Sequence, residues 1–224
     1  MVYFSKNLDN FAVILKGSSV KNLPKFSSNF NDCFLVNNID RNVNQEESEY
    51  NVIAPEIRGK NIAHFVNRLT TAPLLKEHYE ELNIKNVQFS KIKLDHMLSN
   101  VKGYYESCNL TCHLLPEELL EYNKFFSEEY ANKHPNTGVL AVVYAAHMLK
   151  PKTLWVIGLD FYQKDYLFRR PWQAPLENQQ NKMKRTNMIN HFVDVVEKNP
   201  DVSFKLITGA TGIPKVENLE IISV

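Results

Sequence analysis

The sequence predicts an α/β fold built on one doubly wound, mainly parallel sheet. Short continuous apolar runs at 11–15, 33–36 and 154–157 indicate strands. A helix that is apolar on nearly every face, at 138–149, precedes the last of these runs. Such a helix is buried, here beneath a sheet. Because parallel strands are covered on both faces, they read as continuous rather than alternating apolar runs, which favours the parallel arrangement.

The first predicted strand leads into a glycine turn. Gly17 follows the run 11–15, and Ser18 or Ser19 can cap a short helix toward Leu23. A strand, a glycine turn and a helix start form a cradle for phosphate. A lone glycine is equally typical of a simple tight turn. The residues alone leave both interpretations open.

The other predicted elements continue this alternation. Strands are predicted at 33–36, 62–66, 87–89, 154–157 and 203–207, and helices at 74–82, 116–133, 138–149 and 183–198. The polar stretch 40–50 indicates an exposed loop, 92–115 carries no clear assignment, and the strand 203–207 closes the pattern. Repeated β-α-β crossovers are typical of doubly wound sheets.

A ligand site is predicted where the central helix starts and the following strand ends. About twelve helical residues span roughly 18 Å, and about six strand residues span roughly 20 Å, so the chain returns to the same edge of the sheet. That edge collects Thr137 and Gly138 with the stretch from Gly158 to Tyr162. Open α/β sheets bind ligands at the carboxyl ends of their strands, and helix N-termini attract anions.

Amide side chains end two further strands, with Asn37 after the second and Asn67 after the third. Asparagine supplies donors and an acceptor that suit the edges of a ribose or a nucleobase. A single asparagine is more typical of a turn. The convergence of several such strand ends on one edge is therefore the stronger argument for a site.

Asp160, Tyr162 and Tyr166 share the end of the strand 154–157. Two phenols four residues apart can both donate to one phosphate and stabilise it as charge develops on departure. The alternative is that they are packing aromatics at the root of a loop. Residues 163–182 follow without clear period, and a long segment of this kind in a compact domain predicts a lid over the ligand.

Composition excludes several classes of function. With 26 basic and 25 acidic residues, the net charge of +1 favours neither nucleic acid nor a membrane surface as a partner. Three cysteines without a secretory signal predict a reducing, cytoplasmic location. Cys108, Cys112 and His113 lack a fourth metal ligand, so no metal site is predicted. His147 and His191 are predicted core histidines. No run reaches the roughly 18 apolar residues of a membrane span.

The central stretch resembles the bacterial lipooligosaccharide sialyltransferases. Their signature is a Ser/Thr-Gly helix followed by a strand ending Gly-Ile-Asp-Phe-Tyr-Gln. This chain has Thr137-Gly138 and then Gly158-Leu159-Asp160-Phe161-Tyr162-Gln163. The family's first loop, Gly-Asn-Gly-Pro-Ser-Leu, corresponds to residues 15–20, and its Asp-x-Phe-x-x-Asn strand corresponds to residues 32–37. The family's third asparagine corresponds to Asn67.

The resemblance implies one Rossmann-like domain over residues 1–224, with a lid at 163–182. It implies a metal-independent transferase without a cofactor, which uses CMP-activated sialic acid and a glycan acceptor. Related enzymes are homo-oligomers, and neither nucleic acid nor a transmembrane segment is implied. The nucleotide would be bound by Lys16, Gly17, Ser18, Asn37, Asn67, Thr137, Gly138, Asp160 and Phe161. Tyr162 and Tyr166 would hold the leaving phosphate.

Two departures from the family pattern concern the chemistry. Lys16 replaces the loop asparagine that faces the phosphate, and Lys182 stands where the family has a histidine general base. A lysine is about three pKa units too basic for that role at pH 7 unless its pKa is lowered. The prediction is an inverting, sialyltransferase-like glycosyltransferase. The alternatives are a methylpterin pyrophosphokinase-like phosphotransferase, which needs a metal, or a nucleotide-binding protein without turnover.

Overall fold

A computed structural model describes residue 4 and residues 8–39, 48–66, 73–90, 98–116, 119, 136–168 and 185–224. Asn67 and Lys182 lie outside the described residues. So do most of the predicted helix 116–133 and the part of the predicted lid beyond residue 168.

The described strands form a single sheet. They are β1 (Asn10–Ile14), β2 (Asp32–Val36), β3 (Asn61–Val66), β4 (Asn86–Phe89), β5 (Thr111–His113), β6 (Thr153–Ile157), β7 (Ser203–Thr208) and β8 (Leu219–Ser223). The sheet order is β5-β4-β3-β2-β1-β6-β7-β8, and every pairing between these strands is parallel. The predicted α/β fold with a doubly wound parallel sheet is therefore confirmed.

Helices cover both faces of the sheet. They are two 3-10 helices (Ser18–Lys25 and Ser27–Asn29), α1 (Glu49–Ile57), α2 (Lys76–Glu81), α3 (Leu98–Ser107), α4 (Thr137–Tyr144) and α5 (Arg185–Glu197). A π-helical turn, Ala145–Leu149, extends α4. It ends at Lys150, which adopts a left-handed conformation with φ of 51°, and Pro151 then prevents any continuation.

The core consists of two apolar layers, one on each face. In one layer every residue of α4 is buried, and α4 packs on β1, β2 and α5. In the other layer, the first 3-10 helix and α1 cover the sheet through Val20, Leu23 and Ile53. The uniform apolarity of α4 thus reflects burial on all sides, as predicted.

The strand order reverses direction between β1 and β6. From β1 the chain builds outward to β5, and from β6 it builds outward on the other side to β8. Loops that leave two neighbouring strands in opposite directions open a crevice at the carboxyl ends of those strands. The loops after β1 and β6 therefore flank the predicted ligand site.

The sequence interpretation was wrong at two places and incomplete at a third. Strand 203–207 does not close the sheet, because β8 pairs with β7 as the edge strand and is only half-buried, which weakens its apolar pattern. Residues 49 and 50 belong to α1, whose helical pattern is interrupted by Pro55. The unassigned stretch 92–115 contains α3 and the three-residue β5, the latter too short for a period to show.

Candidate functional site

The loops after β1 and β6 touch through backbone atoms. Gly17 N donates a hydrogen bond to Gly158 O at 3.0 Å. A Cβ on Gly17 would lie 2.5 Å from that same oxygen and 2.6 Å from Asp160 Oδ2, so no larger residue fits without backbone movement. Gly158 has φ of 84°, a conformation that side chains disfavour. The two glycines thus allow the loops to close on each other.

Asp160 joins three loops through one buried carboxylate, which is only 4% exposed. Oδ2 accepts from Ser19 N at 2.9 Å and from Ser18 Oγ at 3.3 Å. Oδ1 accepts from Thr208 Oγ1 and Gly209 N, each at 3.0 Å. Charge-assisted bonds of this kind are among the stronger hydrogen bonds in proteins. The ends of β1, β6 and β7 are therefore held together by a single side chain.

This arrangement changes the interpretation of the first loop. The start of the 3-10 helix Ser18–Lys25 is where a phosphate was expected. In the structure Ser19 N bonds the Asp160 carboxylate, and Ser18 N bonds Asp165 O at 3.1 Å. The protein's own carboxylate thus occupies the anion position at this helix start. Contact of Gly17, Ser18 or Asp160 with a nucleotide stays a prediction.

The loop after β7 also belongs to this edge of the sheet, and the sequence analysis did not predict it as part of the site. Besides Thr208 and Gly209, it contains Thr211, whose N donates to Gln163 Oε1 at 2.9 Å. Gln163 Nε2 returns a bond to Thr211 O at 2.8 Å. The signal was present, because Thr-Gly-Ala-Thr-Gly directly follows the apolar run of β7, and small residues at a strand end are typical of a loop that approaches other backbone closely.

Phe161 and Tyr162 form a strained turn after β6. Their φ values are 48° and 57°, and positive φ is uncommon for bulky residues. Each such residue costs about 1–2 kcal/mol. Phe161 is buried and packs edge-on against Phe192 of α5, with ring centroids 5.6 Å apart. Phe161 therefore anchors the turn in the core, and strain of this kind is characteristic of functional sites.

The first residues of the predicted lid dock onto the β1 loop. Tyr166 forms an antiparallel bridge with Gly17, and Leu167 N donates to Lys16 O at 3.0 Å. The rings of Tyr162 and Tyr166 are perpendicular, with centroids 6.4 Å apart. The two tyrosines that the sequence singled out are thus neighbours in space, at the base of the segment 163–182.

The phenol of Tyr166 is held in its protonated form. Burial raises its pKa far above the ordinary value of 10, and Tyr162, Asp165 and Glu49 raise it further. A protonated phenol can donate a hydrogen bond to an oxyanion, as the predicted role requires. Glu49, 1% exposed at the start of α1, was not predicted as part of this edge, because the sequence placed it in a polar loop.

Lys16 lies between the end of β2 and the pair of tyrosines, Tyr162 and Tyr166. Its Nζ donates to Asn38 O at 3.3 Å and is 5.2 Å from the centroid of the Tyr166 ring. It therefore connects the ends of β1 and β2 with the aromatic pair. An ammonium group here supplies a compact positive charge that can bind phosphate.

Asn37, at the end of β2, adopts a left-handed conformation with φ of 62°. Its N donates to Phe65 O at 2.9 Å, and its own carbonyl oxygen lies 3.1 Å from His64 Nε2. The adjacent Asn38 differs, because its side-chain amide donates to Pro73 O. The predicted partner on β3, Asn67, lies outside the described residues.

The start of α4 packs directly on the end of β1. Asn136 caps the helix by accepting from Val139 N at 2.8 Å. A Cβ on Gly138 would lie 2.2 Å from Leu15 Cδ2, so the glycine permits this approach. Thr137 and Gly138 therefore reach the same edge as Gly17 and Gly158. The predicted site residues that the structure describes lie in the loops after β1, β2 and β6 or at the start of α4, and Phe161 among them is buried in the core.

Two further findings concern classes of function. Within the described ranges, no cluster of three or more His, Cys, Asp or Glu side chains could hold a metal ion. Among the helices described, none has the length and apolarity needed to cross a membrane.

No protein-family model and no curated protein match this sequence. Among solved structures, the chain is similar to a mammalian sialyltransferase crystallised with Gal-beta-1-3GalNAc-ortho-nitrophenol. The TM-score is 0.51 at 10% sequence identity, over 88% of this chain and 69% of that one. At this identity the likeness shows the fold alone. The chain thus has a Rossmann-like fold similar to that of a sialyltransferase, and the bacterial family stays a prediction.

Proposed function

We propose that this protein is a glycosyltransferase that transfers sialic acid, or a related sugar, from a CMP-sugar to a glycan acceptor with inversion and without a metal ion. The observation that carries the proposal is the convergence of Lys16, Tyr162 and Tyr166 at the switch point of this fold. A cation and two phenol donors suit a leaving phosphate. The similar fold of a sialyltransferase supports transfer of a sugar of this class.

The residues divide into three roles in this proposal. Lys16 neutralises the phosphate, and the phenols of Tyr162 and Tyr166 donate to its oxygens as negative charge grows during departure of the CMP. Asn37 offers its amide to the nucleoside. Lys182 is the candidate general base from the resemblance, and that role requires a pKa well below the usual value for lysine. Asn67, Thr137 and Gly138 complete the nucleotide contacts.

A metal-dependent phosphotransferase is less well supported. The acidic residue that the sequence offers as a metal ligand is Asp160, and both of its carboxylate oxygens already accept two hydrogen bonds each. Binding a cation there would require those loops to separate.

Thermal unfolding with CMP, ATP and GTP, each with and without magnesium, tests the proposal. A ligand at 100 times its Kd stabilises a protein by about 2.7 kcal/mol. We expect CMP to stabilise the protein without magnesium. Lys16→Ala should abolish that effect, and Lys21→Ala, at an exposed lysine of the first 3-10 helix, should retain it. Stabilisation by ATP only in the presence of magnesium would contradict the proposal.

A further inference from the structure

A buried hydrogen-bond chain lies beneath the end of β2. It is centred on His64 of β3, which is fully buried. His64 Nε2 is 3.1 Å from Asn37 O, and His64 Nδ1 is 2.8 Å from the hydroxyl of Tyr79 on α2. The Tyr79 oxygen in turn accepts from Leu74 N at 3.0 Å. Strand β3, helix α2 and the segment before α2 are thereby connected to the backbone carbonyl of Asn37.

The partners determine the direction of two of the three bonds in this hydrogen-bond chain. A carbonyl oxygen can only accept, so His64 Nε2 carries a hydrogen and donates to Asn37 O. Leu74 N–H donates to the Tyr79 oxygen, and the Tyr79 hydroxyl can donate in turn to His64 Nδ1. Burial raises the pKa of Tyr79 well above 10, so this proton is present at neutral pH. This arrangement favours the Nε2–H tautomer of His64, with Nδ1 as the acceptor from Tyr79.

The buried hydrogen-bond chain fixes the backbone of Asn37 and leaves the Asn37 side chain available. The Asn37 N–H is bonded to Phe65 O and its C=O to His64, so both main-chain groups are held while φ is 62°. The Asn37 side-chain amide makes no hydrogen bond to any other residue in the described part of the chain. The neighbouring Asn38 amide, in contrast, is bonded to Pro73 O.

We propose that His64 and Tyr79 are positioning residues for the nucleotide site, because they hold Asn37 in the left-handed conformation that presents its side-chain amide to the nucleotide. The identity of the ligand rests on the proposed function. Neither residue touches the ligand. Their contribution is to preorganise Asn37, so that binding need not order it.

The test compares two tyrosine hydroxyls associated with α2, one on Tyr79 of the helix and one on Tyr50, which bonds the helix. Tyr79→Phe removes the donor to His64 Nδ1 and the acceptor for Leu74 N. The matched control, Tyr50→Phe, removes a hydroxyl that bonds Glu81 of α2 but has no part in the chain to Asn37. We expect Tyr79→Phe to raise the Kd for CMP about three- to tenfold, the effect of one neutral hydrogen bond. Tyr50→Phe should leave that Kd unchanged.

Two substitutions of His64 separate positioning from general packing. His64→Gln keeps an N–H donor that can reach Asn37 O, whereas His64→Leu keeps only apolar volume. We expect CMP affinity to fall less in His64→Gln than in His64→Leu. With a CMP-sugar donor, Tyr79→Phe should raise KM and leave kcat unchanged. Equal loss of CMP affinity in Tyr79→Phe and Tyr50→Phe, or in the two His64 variants, would overturn the inference.

A ligand-free measurement keeps this inference distinguishable from the proposed function. In nitrogen-15 NMR, His64 should be protonated at Nε2 only, and Tyr79→Phe should shift the backbone amide of Asn37 while Tyr50→Phe does not. An unmoved Asn37 amide in Tyr79→Phe would overturn the positioning role even where CMP binds. If wild type binds none of CMP, UMP, AMP and GMP, the proposed function and the ligand named here both fail, and the NMR comparison alone decides whether the chain positions Asn37.

Discussion

The two halves of the sheet's carboxyl edge use their polar groups in opposite ways. At β1, β6 and β7, the donors of the first loop and of the β7 loop are taken by Asp160. At β2, the backbone of Asn37 is held from below, while its side-chain amide has no partner among the described residues. One half satisfies its own polar groups, and the other leaves a polar group for a ligand.

Within the closed half, a single sequence motif contributes both to stability and to the proposed chemistry. In Gly-Leu-Asp-Phe-Tyr, the aspartate closes three loops and the phenylalanine anchors the turn in the core. The tyrosine, together with Tyr166, remains the group suited to a leaving phosphate. Changes to the closed half should therefore reduce stability first, and changes at the open half should reduce ligand affinity or turnover first.

The largest expected effect comes from Asp160→Asn. The new amide group would face two donors in place of an accepting oxygen, so buried donors lose their partners. We expect the free energy of unfolding to fall by about 3 kcal/mol, measured by urea denaturation. Asp9→Asn removes the charge from an exposed carboxylate paired with Lys152 and should cost less than about 1 kcal/mol. Similar losses of unfolding free energy in the two variants would contradict the role of Asp160 in holding the three loops together.

A smaller effect is expected from Gly17→Ala. The added Cβ would meet a backbone oxygen at 2.5 Å, and backbone yields less easily than a flexible side chain. We expect a destabilisation of about 2 kcal/mol. Gly103→Ala, in α3 with nothing within 4 Å of the added Cβ, should instead stabilise by about 0.5–1 kcal/mol. Thermal unfolding of both variants measures the difference, and a neutral Gly17→Ala would mean that the two loops can separate freely.

The smallest effect concerns alkaline pH. Because the folded-state pKa of Tyr166 is raised, its contribution to stability is complete below pH 10 and is lost as pH rises from 10 toward the folded-state pKa. Tyr166→Phe should therefore make the decline in unfolding free energy above pH 10 shallower by about 1.4 kcal/mol per pH unit. The unfolding free energy of both proteins is measured by urea denaturation at several pH values. If it fell equally steeply with pH in both, the Tyr166 phenol would be exposed to solvent.

The strands were predictable where burial is complete. The apolar runs 11–15, 33–36 and 154–157 and the uniformly apolar α4 correspond to elements that are almost wholly buried. The edge strands β5 and β8 were missed, since partial burial leaves them a mixed composition. Apolar pattern therefore predicts the centre of this sheet better than its margins.

The site was predictable only in outline. Small and polar residues at strand ends located the edge, because their positions follow from the alternation of strands and helices. The bonds of Asp160 to Thr208 and Gly209 could not be predicted, since they join residues 48 and 49 positions apart and depend on β7 lying beside β6. The chain from Tyr79 through His64 to Asn37 depends in the same way on the packing of α2 against the sheet.

The central claim is that this edge binds a CMP-sugar, whose nucleoside contacts the open half at β2 and whose phosphate leaves against Tyr162 and Tyr166 after β6. The most direct measurement is release of CMP from CMP-sialic acid by wild type and by Tyr162→Phe, with and without lactose as acceptor. We expect wild type to release CMP, lactose to accelerate release, and Tyr162→Phe to slow it by about 10²-fold with unchanged thermal stability. Tight CMP binding by wild type without any release would contradict turnover and leave a nucleotide-binding protein.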